Sequence, residues 1–295
     1  MSIQFKSHQR SWWDLPASDV RAVASLFQQP ARVYARMIFV NDIRPASPAE
    51  QNSEDLMTAP STLMKPAAAS TGTLTISLLA LTFSTGLIDA LSIIALGRVF
   101  TANMTGNIVF LAFAIAGVQG LSAARSVASL LAFMAGAVCG GLFNVRHSGW
   151  TQARLLKKAS LIEALLLFAA AIFAIITGSK NEITTTATYG LIVITAAAMG
   201  LRNAVVRKLA VPDVTTTVLT LTVTGFASDS SLAGGANPRW KTRIESIVMM
   251  FAGAATGAML LRYGVVAPLA ASSFVAALSY MMARRSERVT HRACS

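Results

Sequence analysis

Cysteine, histidine and charge are scarce in this chain of 295 residues. It contains two cysteines and three histidines, and neither cysteine belongs to a CxxC pair, so the sequence predicts no metal site and no disulfide framework. Charged residues make up 13% of the chain, about half the share in a typical soluble domain. The phosphate loop, GxGxxG and GxSxG motifs are absent too. These absences argue against an ordinary cytosolic enzyme, and we expect no cofactor and no catalytic activity.

Hydrophobic residues are abundant instead. They make up 54% of the chain, and the mean hydropathy is +0.57. Seven runs of 16 residues or more contain no Asp, Glu, Lys or Arg: 66–88, 99–124, 126–145, 164–179, 183–201, 246–261 and 263–283. Because about 20 predominantly apolar residues cross a bilayer as one helix, the sequence predicts an all-α, polytopic membrane helix bundle. We therefore expect the protein to lie in a lipid bilayer.

Six of the apolar segments are long enough to be clear spans. They are roughly 74–96, 126–145, 159–178, 184–203, 245–262 and 263–283. Two further segments are short or polar: 99–120 opens with Thr and Asn residues, and 214–228 is rich in Thr. We interpret these two segments as re-entrant or half-length helices.

The basic residues support this count of spans. The net charge is +12, and the basic clusters lie between apolar runs, as in cytoplasmic loops of membrane proteins rather than in nucleic-acid-binding proteins. If only the six clear spans cross, 14 of the 18 basic residues after Lys65 lie inside and four outside. If both doubtful segments cross as well, the division is nine to nine. The positive-inside rule therefore favours six spans, with both termini cytoplasmic in a bacterial inner membrane.

Two stretches of the chain resemble each other. Gly86-Leu-Ile-Asp-Ala90 is followed by a polar segment at 100–107, and Gly200-Leu-Arg-Asn-Ala204 is followed by a threonine-rich segment at 214–218. Further on, an Ala-Gly-Ala sequence with a glycine four residues after the first recurs in each half, at Gly136 and Gly140 and at Gly253 and Gly257. The order of the matches is the same in both halves. With three crossings per half, the sequence predicts an inverted repeat, which is typical of secondary transporters.

We divide the chain into three parts. Residues 1–73 form an N-terminal extension that we expect to be largely disordered, with a possible amphipathic helix at 17–40. Residues 74–285 form the membrane domain, with one half at about 74–178 and the other at about 184–283. Residues 286–295 form a basic cytoplasmic tail.

Asp89 and the residues opposite it in the repeat are the first candidates for a binding site. A carboxylate inside a span costs about 2.5–3.5 kcal/mol to insert and usually faces a cavity or a partner. Alternatively, Asp89 caps the next half-helix or pairs with Arg98. Asn203 occupies the matching position, and the adjacent Arg202 is either the partner of Asp89 or a cytoplasmic anchor.

The two polar segments supply the other candidates. In the first segment these are Asn103, Thr105 and Asn107; in the second they are Asp213, Thr215, Thr216 and Thr217. Irregular polar backbone survives at membrane depth only when it is buried in protein or lines water, and inward helix N-termini offer free N–H groups to an anion or polar substrate. In the alternative interpretation, the threonine hydroxyls bond their own helix.

Two other features have structural interpretations. The Gly136/Gly140 and Gly253/Gly257 pairs have the small-xxx-small spacing that allows helices to approach closely. Glu163 lies near the start of a predicted span, behind Lys157 and Lys158, and we interpret it as part of an interfacial ion pair rather than a proton relay.

At these residues the chain resembles the YoaK-like family of uncharacterised bacterial membrane proteins, a domain-of-unknown-function family. The resemblance covers roughly residues 74–285. It rests on the segments 86–90, 96–97, 100–107, 201–204 and 211–217. It implies a multi-pass inner-membrane protein of unassigned activity.

Two functions fit this combination of features. The first is a transporter or permease for a small molecule or ion, with Asp89 and the polar segments lining a midplane site. The second is a non-transporting scaffold or lipid-associated protein whose polar motifs only fix helix packing. An intramembrane enzyme fits least, because no His or Cys lies near the polar motifs. The sequence leaves the substrate open, and also whether the chain forms a homo-oligomer.

Overall fold

The computed structural model describes residues 68–179, 182–209 and 219–293, which all belong to one compact unit, Lys65–Ser295. The predicted amphipathic helix at 17–40, and all of the extension before residue 68, lie outside the described residues. The described helices are α1 (Ala68–Ile94), α2 (Met104–Ile115), α3 (Ala123–Arg146), α4 (Gln152–Thr177), α5 (Thr185–Leu209), α6 (Leu219–Ser228), α7 (Trp240–Leu260) and α8 (Val266–Ala293). A short antiparallel strand pair, β1 (Gly178–Ser179) and β2 (Glu182–Ile183), joins α4 to α5.

Six stretches of these helices are long and apolar enough to cross a membrane, which confirms the predicted all-α bundle. They are Gly72–Ile94, Ala123–Arg146, Gln152–Thr177, Thr185–Leu209, Trp240–Tyr263 and Val266–Arg284. Among these six stretches, the largest difference from the predicted bounds is the start of the stretch in α4, at Gln152 instead of 159. Its first turns, including Lys157 and Lys158, are too polar to be detected as part of an apolar span.

The two doubtful segments contain short helices. α2 has 12 residues and the described part of α6 has 10, about 18 Å and 15 Å at 1.5 Å per residue, against a hydrocarbon core of about 30 Å. α2 packs against α3, and α6 packs against α7. The interpretation of the first segment as a half-length helix is therefore confirmed, and the described part of the second segment agrees with the same interpretation.

The long helices pack in two parallel pairs. In the first pair, α1 and α7, Phe83 lies against Gly253 and Leu87 lies against Gly257. In the second pair, α3 and α5, Ala197 and Leu201 lie against Gly136 and Gly140 in the same rising order. Because the residue numbers of the contacts rise together along both helices, the two helices of each pair are parallel.

Two further contacts fix the remaining directions. Ser160 on α4 bonds Ser279 on α8, and Ser273 donates to the carbonyl of Ala164, so these two helices are antiparallel. If both short helices crossed the membrane, α4 and α8 would run in the same direction. If only one crossed, α1 and α7 would run in opposite directions. The observed directions fit six crossings, with α2 and α6 not crossing.

Glycine residues allow the two helices of each parallel pair to approach each other closely. A Cβ atom added to Gly86 would lie 2.4 Å from the carbonyl oxygen of Met250, and one added to Gly200 would lie 2.1 Å from that of Phe133. Real Cβ atoms do not approach a backbone oxygen so closely. The helices therefore meet backbone to backbone, which confirms the structural interpretation of the small-xxx-small pairs.

The buried apolar side chains form two clusters at different levels of the bundle. One includes Ile88 and Leu91 of α1 with Leu167 of α4, and the other includes Leu78 and Leu81 of α1 with their neighbours. On α5, the first cluster ends at Met199 and the second begins at Val205, apart from the partly buried Leu201. Buried polar residues are concentrated where the two clusters adjoin, and they form the candidate site.

Candidate functional site in the middle of the bundle

A set of buried polar side chains lies where the two apolar clusters adjoin. Its members come from four helices: Ser84, Thr85 and Asp89 from α1, Glu163 from α4, Arg202 from α5, and Ser272 and Ser273 from α8. Ser84 and Ser272 are hydrogen-bonded at 3.0 Å. We call this set the midplane layer. Polar groups at this depth are expensive unless they are paired or serve a function.

Arg202 is the centre of the midplane layer. Its side chain is fully buried, and Nη1 donates to Oε1 of Glu163 at 2.8 Å. Nη1 also donates to the carbonyl of Leu81 at 3.1 Å, and Nη2 donates to the hydroxyl of Thr85 at 2.6 Å. One guanidinium therefore ties α5 to both α4 and α1.

These contacts overturn the interpretation of Arg202 as a cytoplasmic anchor and give it a hydrogen-bonded partner that the sequence did not indicate. It is not a cytoplasmic anchor, because its side chain has no exposure to the surface. Its ion-pair partner is Glu163 rather than Asp89. The predicted span ends at 203, next to Arg202, but α5 continues to Leu209 and carries Arg202 inside the bundle.

Glu163 was missed as a functional candidate, and its interpretation as an interfacial partner of the lysines was wrong. Since α4 begins at Gln152, Glu163 lies about 16 Å along the helix at 1.5 Å per residue. Its carboxylate is fully buried, and Oε2 has no hydrogen-bond partner among the described residues. The available signal was a single acid in one apolar segment and a single base in the next, which are typically paired inside a membrane.

Asp89 lies one turn beyond Thr85 on α1. Its exposed fraction is 9%, and Oδ1 has no hydrogen-bond partner within the described part of the chain. The guanidinium of Arg202 acts on this carboxylate electrostatically, without a direct hydrogen bond. The midplane layer thus holds two carboxylates around one guanidinium.

Asn203, the counterpart of Asp89, is half-buried. Its Nδ2 donates to the carbonyl of Met199, one turn back on the same helix, at 2.8 Å. The two matching positions therefore differ in chemistry: one holds a buried acid without a hydrogen-bond partner at Oδ1, and the other an amide bonded to its own helix.

The first polar segment enters the bundle from the end of α1. Leu96, Val99 and Ala102 are buried in the same apolar cluster as Leu167 of α4. Irregular backbone is tolerated at this depth when protein surrounds it. The segment therefore lies within the bundle, as predicted, and α2 begins inside it.

Asn107 fixes this segment to α3. Its Oδ1 accepts from the backbone N–H of Phe100 at 2.8 Å, and its Nδ2 donates to the Phe100 carbonyl at 2.6 Å and to the Ser129 hydroxyl at 3.1 Å. Asn103 caps α2 by accepting from the N–H of Gly106 at 3.3 Å. Both amides are engaged in holding the loop.

The threonines of this segment lie apart. Thr105 is exposed on α2. Thr101 is fully buried, and its hydroxyl has no hydrogen-bond partner among the described residues. Thr101 was not among the predicted site residues, although its position in the same run was the signal for it.

The second polar segment is described only from Leu219. Asp213, Thr215, Thr216 and Thr217 lie outside the described residues. In α6, the guanidinium of Arg243 donates to the Gly225 carbonyl, and Nη2 donates to Asp229 at 2.8 Å. This hydrogen bond holds the pKa of Asp229 below its ordinary value. Arg243 fixes α6 to α7 much as Asn107 fixes α2 to α3.

The described residues contain no group of three or more His, Cys, Asp and Glu side chains that could hold a metal ion. The chemistry of the midplane layer is that of hydroxyls, two carboxylates and one guanidinium. Such a set can bind a proton, a small cation or a polar solute.

Fold and site together define a multi-pass α-helical membrane protein with a buried charged layer. Residues 77–282 match the model of a family described as "Protein of unknown function (DUF1275)", and the chain belongs to this family. It is similar to the "UPF0700 transmembrane protein YoaK" of Bacillus subtilis (strain 168), with 34% identity over 158 residues, which are 53% of this chain and 66% of the relative. No solved structure matches the chain.

Proposed function

We propose that this protein is a transporter or permease for a small molecule or ion, with the midplane layer as its binding site. The observation that carries the proposal is the correspondence between the two halves around that layer. Helices α1 to α4 and α5 to α8 make equivalent contacts, and the two halves have opposite directions. Secondary transporters with inverted repeats bind substrate near the midplane, where the halves meet.

The glycine contacts support this correspondence residue by residue. In the aligned helices, the neighbours of each glycine in one half are the counterparts of the neighbours in the other. The matching contacts are Gly86 with Met250 and Ala254 against Gly200 with Phe133 and Ala137, Gly253 with Phe83 against Gly136 with Ala197, and Gly257 with Leu87 and Ala90 against Gly140 with Leu201 and Ala204. Each matched residue of α5 follows its counterpart in α1 by the same number of positions, and a second constant number separates the matched residues of α3 and α7. These relations favour an internal repeat.

The same contacts indicate which parts would move. Each parallel pair, α1 with α7 and α3 with α5, is held backbone to backbone and would move as a unit. Between the pairs, Arg202 supplies the polar bridge to Leu81 and Thr85 of α1. A small displacement of one pair against the other would break and remake these bonds, opening the midplane layer to one side and then the other.

The orientation we propose places both termini in the cytoplasm of a bacterial inner membrane. The exposed Arg146, Arg154 and Lys158 lie on α3 and α4 on either side of the turn between them. The guanidinium of Arg154 lies 4.6 Å from the ring centre of Trp150 in that turn. An aromatic residue beside exposed basic residues is typical of an interface on the positive, cytoplasmic side.

Flux measurements on purified protein in liposomes test the proposal. We expect uptake of at least one solute from a panel of ions, amino acids, sugars and organic acids, and we expect Asp89→Asn to abolish it. Thr82→Val is the matched control, because the hydroxyl of Thr82 bonds only the Leu78 carbonyl of its own helix in the described contacts. Uptake should persist in this variant.

The alternative function would give a different result. A scaffold would show no flux across the panel, while Asp89→Asn would change the stability of the protein or its capture of a partner. That outcome would overturn the proposal of transport.

A further inference from the structure

The midplane layer holds more negative than positive charge. Arg202 on α5 acts electrostatically on Asp89, and Glu163 on α4 pairs with the same guanidinium. The other helices packed against α1 add no charged side chain at this level, since α7 has none after Glu245 and α8 none before Arg284. With both carboxylates ionised, one guanidinium balances only one of them.

The hydrogen bonds identify the carboxylate that does not pair with Arg202 in this structure. In this structure Arg202 directs its Nη atoms to Glu163, Leu81 and Thr85, whereas Oδ1 of Asp89 is buried with no hydrogen-bond partner among the described residues. A buried, unpaired carboxylate is costly, and one proton removes the cost. A proton is also the simplest ligand for a single carboxylate.

We infer that Asp89 and Glu163 are alternative sites for one exchangeable proton, and that Arg202 pairs with whichever of the two is ionised. In the structure described, Asp89 holds the proton and Glu163 pairs with Arg202. When Asp89 releases its proton to water, Arg202 moves to it and Glu163 takes up a proton in turn. Each step breaks one O–H bond and forms another, with water as the only carrier.

The geometry permits this exchange without rearranging a helix. Leu81, Thr85 and Asp89 are spaced four residues apart along one side of α1. Arg202 already reaches the first two of them. Asp89 lies one turn further, about 6 Å at 1.5 Å per residue, a distance that a long flexible side chain can cover.

This inference rests on the proposed function, in which the proton is the ion coupled to transport. Proton binding can nevertheless be measured without a substrate. Infrared difference spectra between acid and alkaline pH, recorded on the full chain in lipid nanodiscs, report protonated carboxyl groups by their C=O stretching band. Labelling with ¹³C-aspartate shifts the band of an Asp and leaves that of a Glu.

In the unsubstituted protein we expect one protonated carboxyl band at acid pH that shifts with ¹³C-aspartate and disappears at alkaline pH. Asp89→Asn should lose it. The exposed Glu245 provides the control, since Glu245→Gln should retain the band. Absence of the aspartate band from the unsubstituted protein would overturn the inference without any variant.

Variants of the pair test the exchange itself. In Glu163→Gln, Asp89 is the only carboxylate left for Arg202, so the aspartate band should be lost at all pH values. In Glu163→Gln combined with Arg202→Gln, no guanidinium remains and the band should return. A band that persists in Glu163→Gln would show an inert buried acid and overturn the exchange.

The two proposals fail in different ways. If the bands behave as expected but no solute in the panel is transported, the proton site stands and the transport function is wrong. If transport depends on Asp89 but the aspartate band is absent, transport stands and the proton exchange is wrong.

Discussion

The positions Ile88-Asp89 and Arg202-Asn203 show how the two halves of the molecule differ. Both dipeptides follow a Gly-Leu pair on a long helix, and both helices pack closely against a glycine-bearing partner. One dipeptide contributes an acid and the other a base. The packing of the halves is thus alike while their chemistry differs, so the charged layer requires both halves.

The short helices differ in the same way. α2 is held to α3 by the amide of Asn107, whereas α6 is held to α7 by the guanidinium of Arg243. The neutral amide of Asn107 hydrogen-bonds the backbone of Phe100 and needs no counter-charge. A guanidinium needs one, which Asp229 supplies.

The largest difference between the halves is expected when the guanidinium of Arg202 is removed. Arg202→Met should lower the free energy of unfolding by about 3–5 kcal/mol, because Glu163 is left buried without its partner. At the equivalent place in the first half, Ile88→Met should cost less than about 1.5 kcal/mol as a volume-conserving change. Thermal unfolding in nanodiscs measures both.

A second variant separates the ion pair from simple packing. Replacing Arg202 and Glu163 together by Met should recover most of the lost stability, because no unpaired charge remains. Equal costs for Arg202→Met and Ile88→Met would contradict the central place of the ion pair.

The likeness of the halves can be tested at the glycines. Gly140→Ala and Gly257→Ala should each destabilise the protein by about 1–3 kcal/mol through overpacking, since the new Cβ would meet a backbone oxygen at 2.6 Å and 2.9 Å. Gly141→Ala is the matched control. Nothing lies within 4 Å of its Cβ position, and alanine should raise helix stability by about 0.5–1 kcal/mol.

The readout is again thermal unfolding in nanodiscs. Similar losses for Gly140→Ala and Gly257→Ala, with none for Gly141→Ala, are the expected pattern. A large loss in one half alone would mean that the two close approaches are not equivalent.

Asn107 should matter for the loop rather than for the whole bundle. Asn107→Ala removes the acceptor of the Phe100 N–H, while the Phe100 carbonyl still accepts from the Ser129 hydroxyl at 2.6 Å. The expected cost is about 1–3 kcal/mol. Hydrogen exchange should speed up in residues 96–103 and stay unchanged in α6. Asn103→Ala removes only a helix cap and should cost about 1 kcal/mol. A larger effect of Asn103→Ala would contradict the assignment.

The smallest expected effect is the pH dependence of α6. Because the pKa of Asp229 in the folded protein is lower than its ordinary value of 3.8, its pairing with Arg243 stabilises the fold above that value. The stabilisation is lost as pH falls through the lowered pKa. The NMR shift of the Arg243 guanidinium should stay constant at neutral pH and change only below about pH 4. In Asp229→Asn this change should be absent.

Much of the fold could be predicted from the sequence, because lipid imposes length and hydropathy on each span. Six spans, two half-length helices and the close approach at Gly136 and Gly253 all follow from local pattern. The bounds of α4 did not follow, since its polar first turns are indistinguishable from a loop. That error placed Glu163 at the interface.

The candidate site was less predictable, because it depends on which helices touch. Asp89 and Arg202 were recognised as unusual within apolar segments, but the partner of Arg202 lies on α4 and shares no motif with it. Asn107 was expected to face a substrate. Its hydrogen bonds to Phe100 and Ser129 depend on a loop conformation that residue type alone does not reveal.

Topology mapping tests the inverted relation of the halves most directly. In a chain carrying Cys139→Ala and Cys294→Ser, single cysteines at Arg154, Lys241 and Gln119 would be labelled by an impermeant thiol reagent in oriented vesicles. We predict that Arg154→Cys and Lys241→Cys react only from the cytoplasmic side, and that Gln119→Cys reacts only from the opposite side. Labelling of Arg154→Cys and Lys241→Cys from opposite sides would contradict the inverted halves and the midplane site built between them.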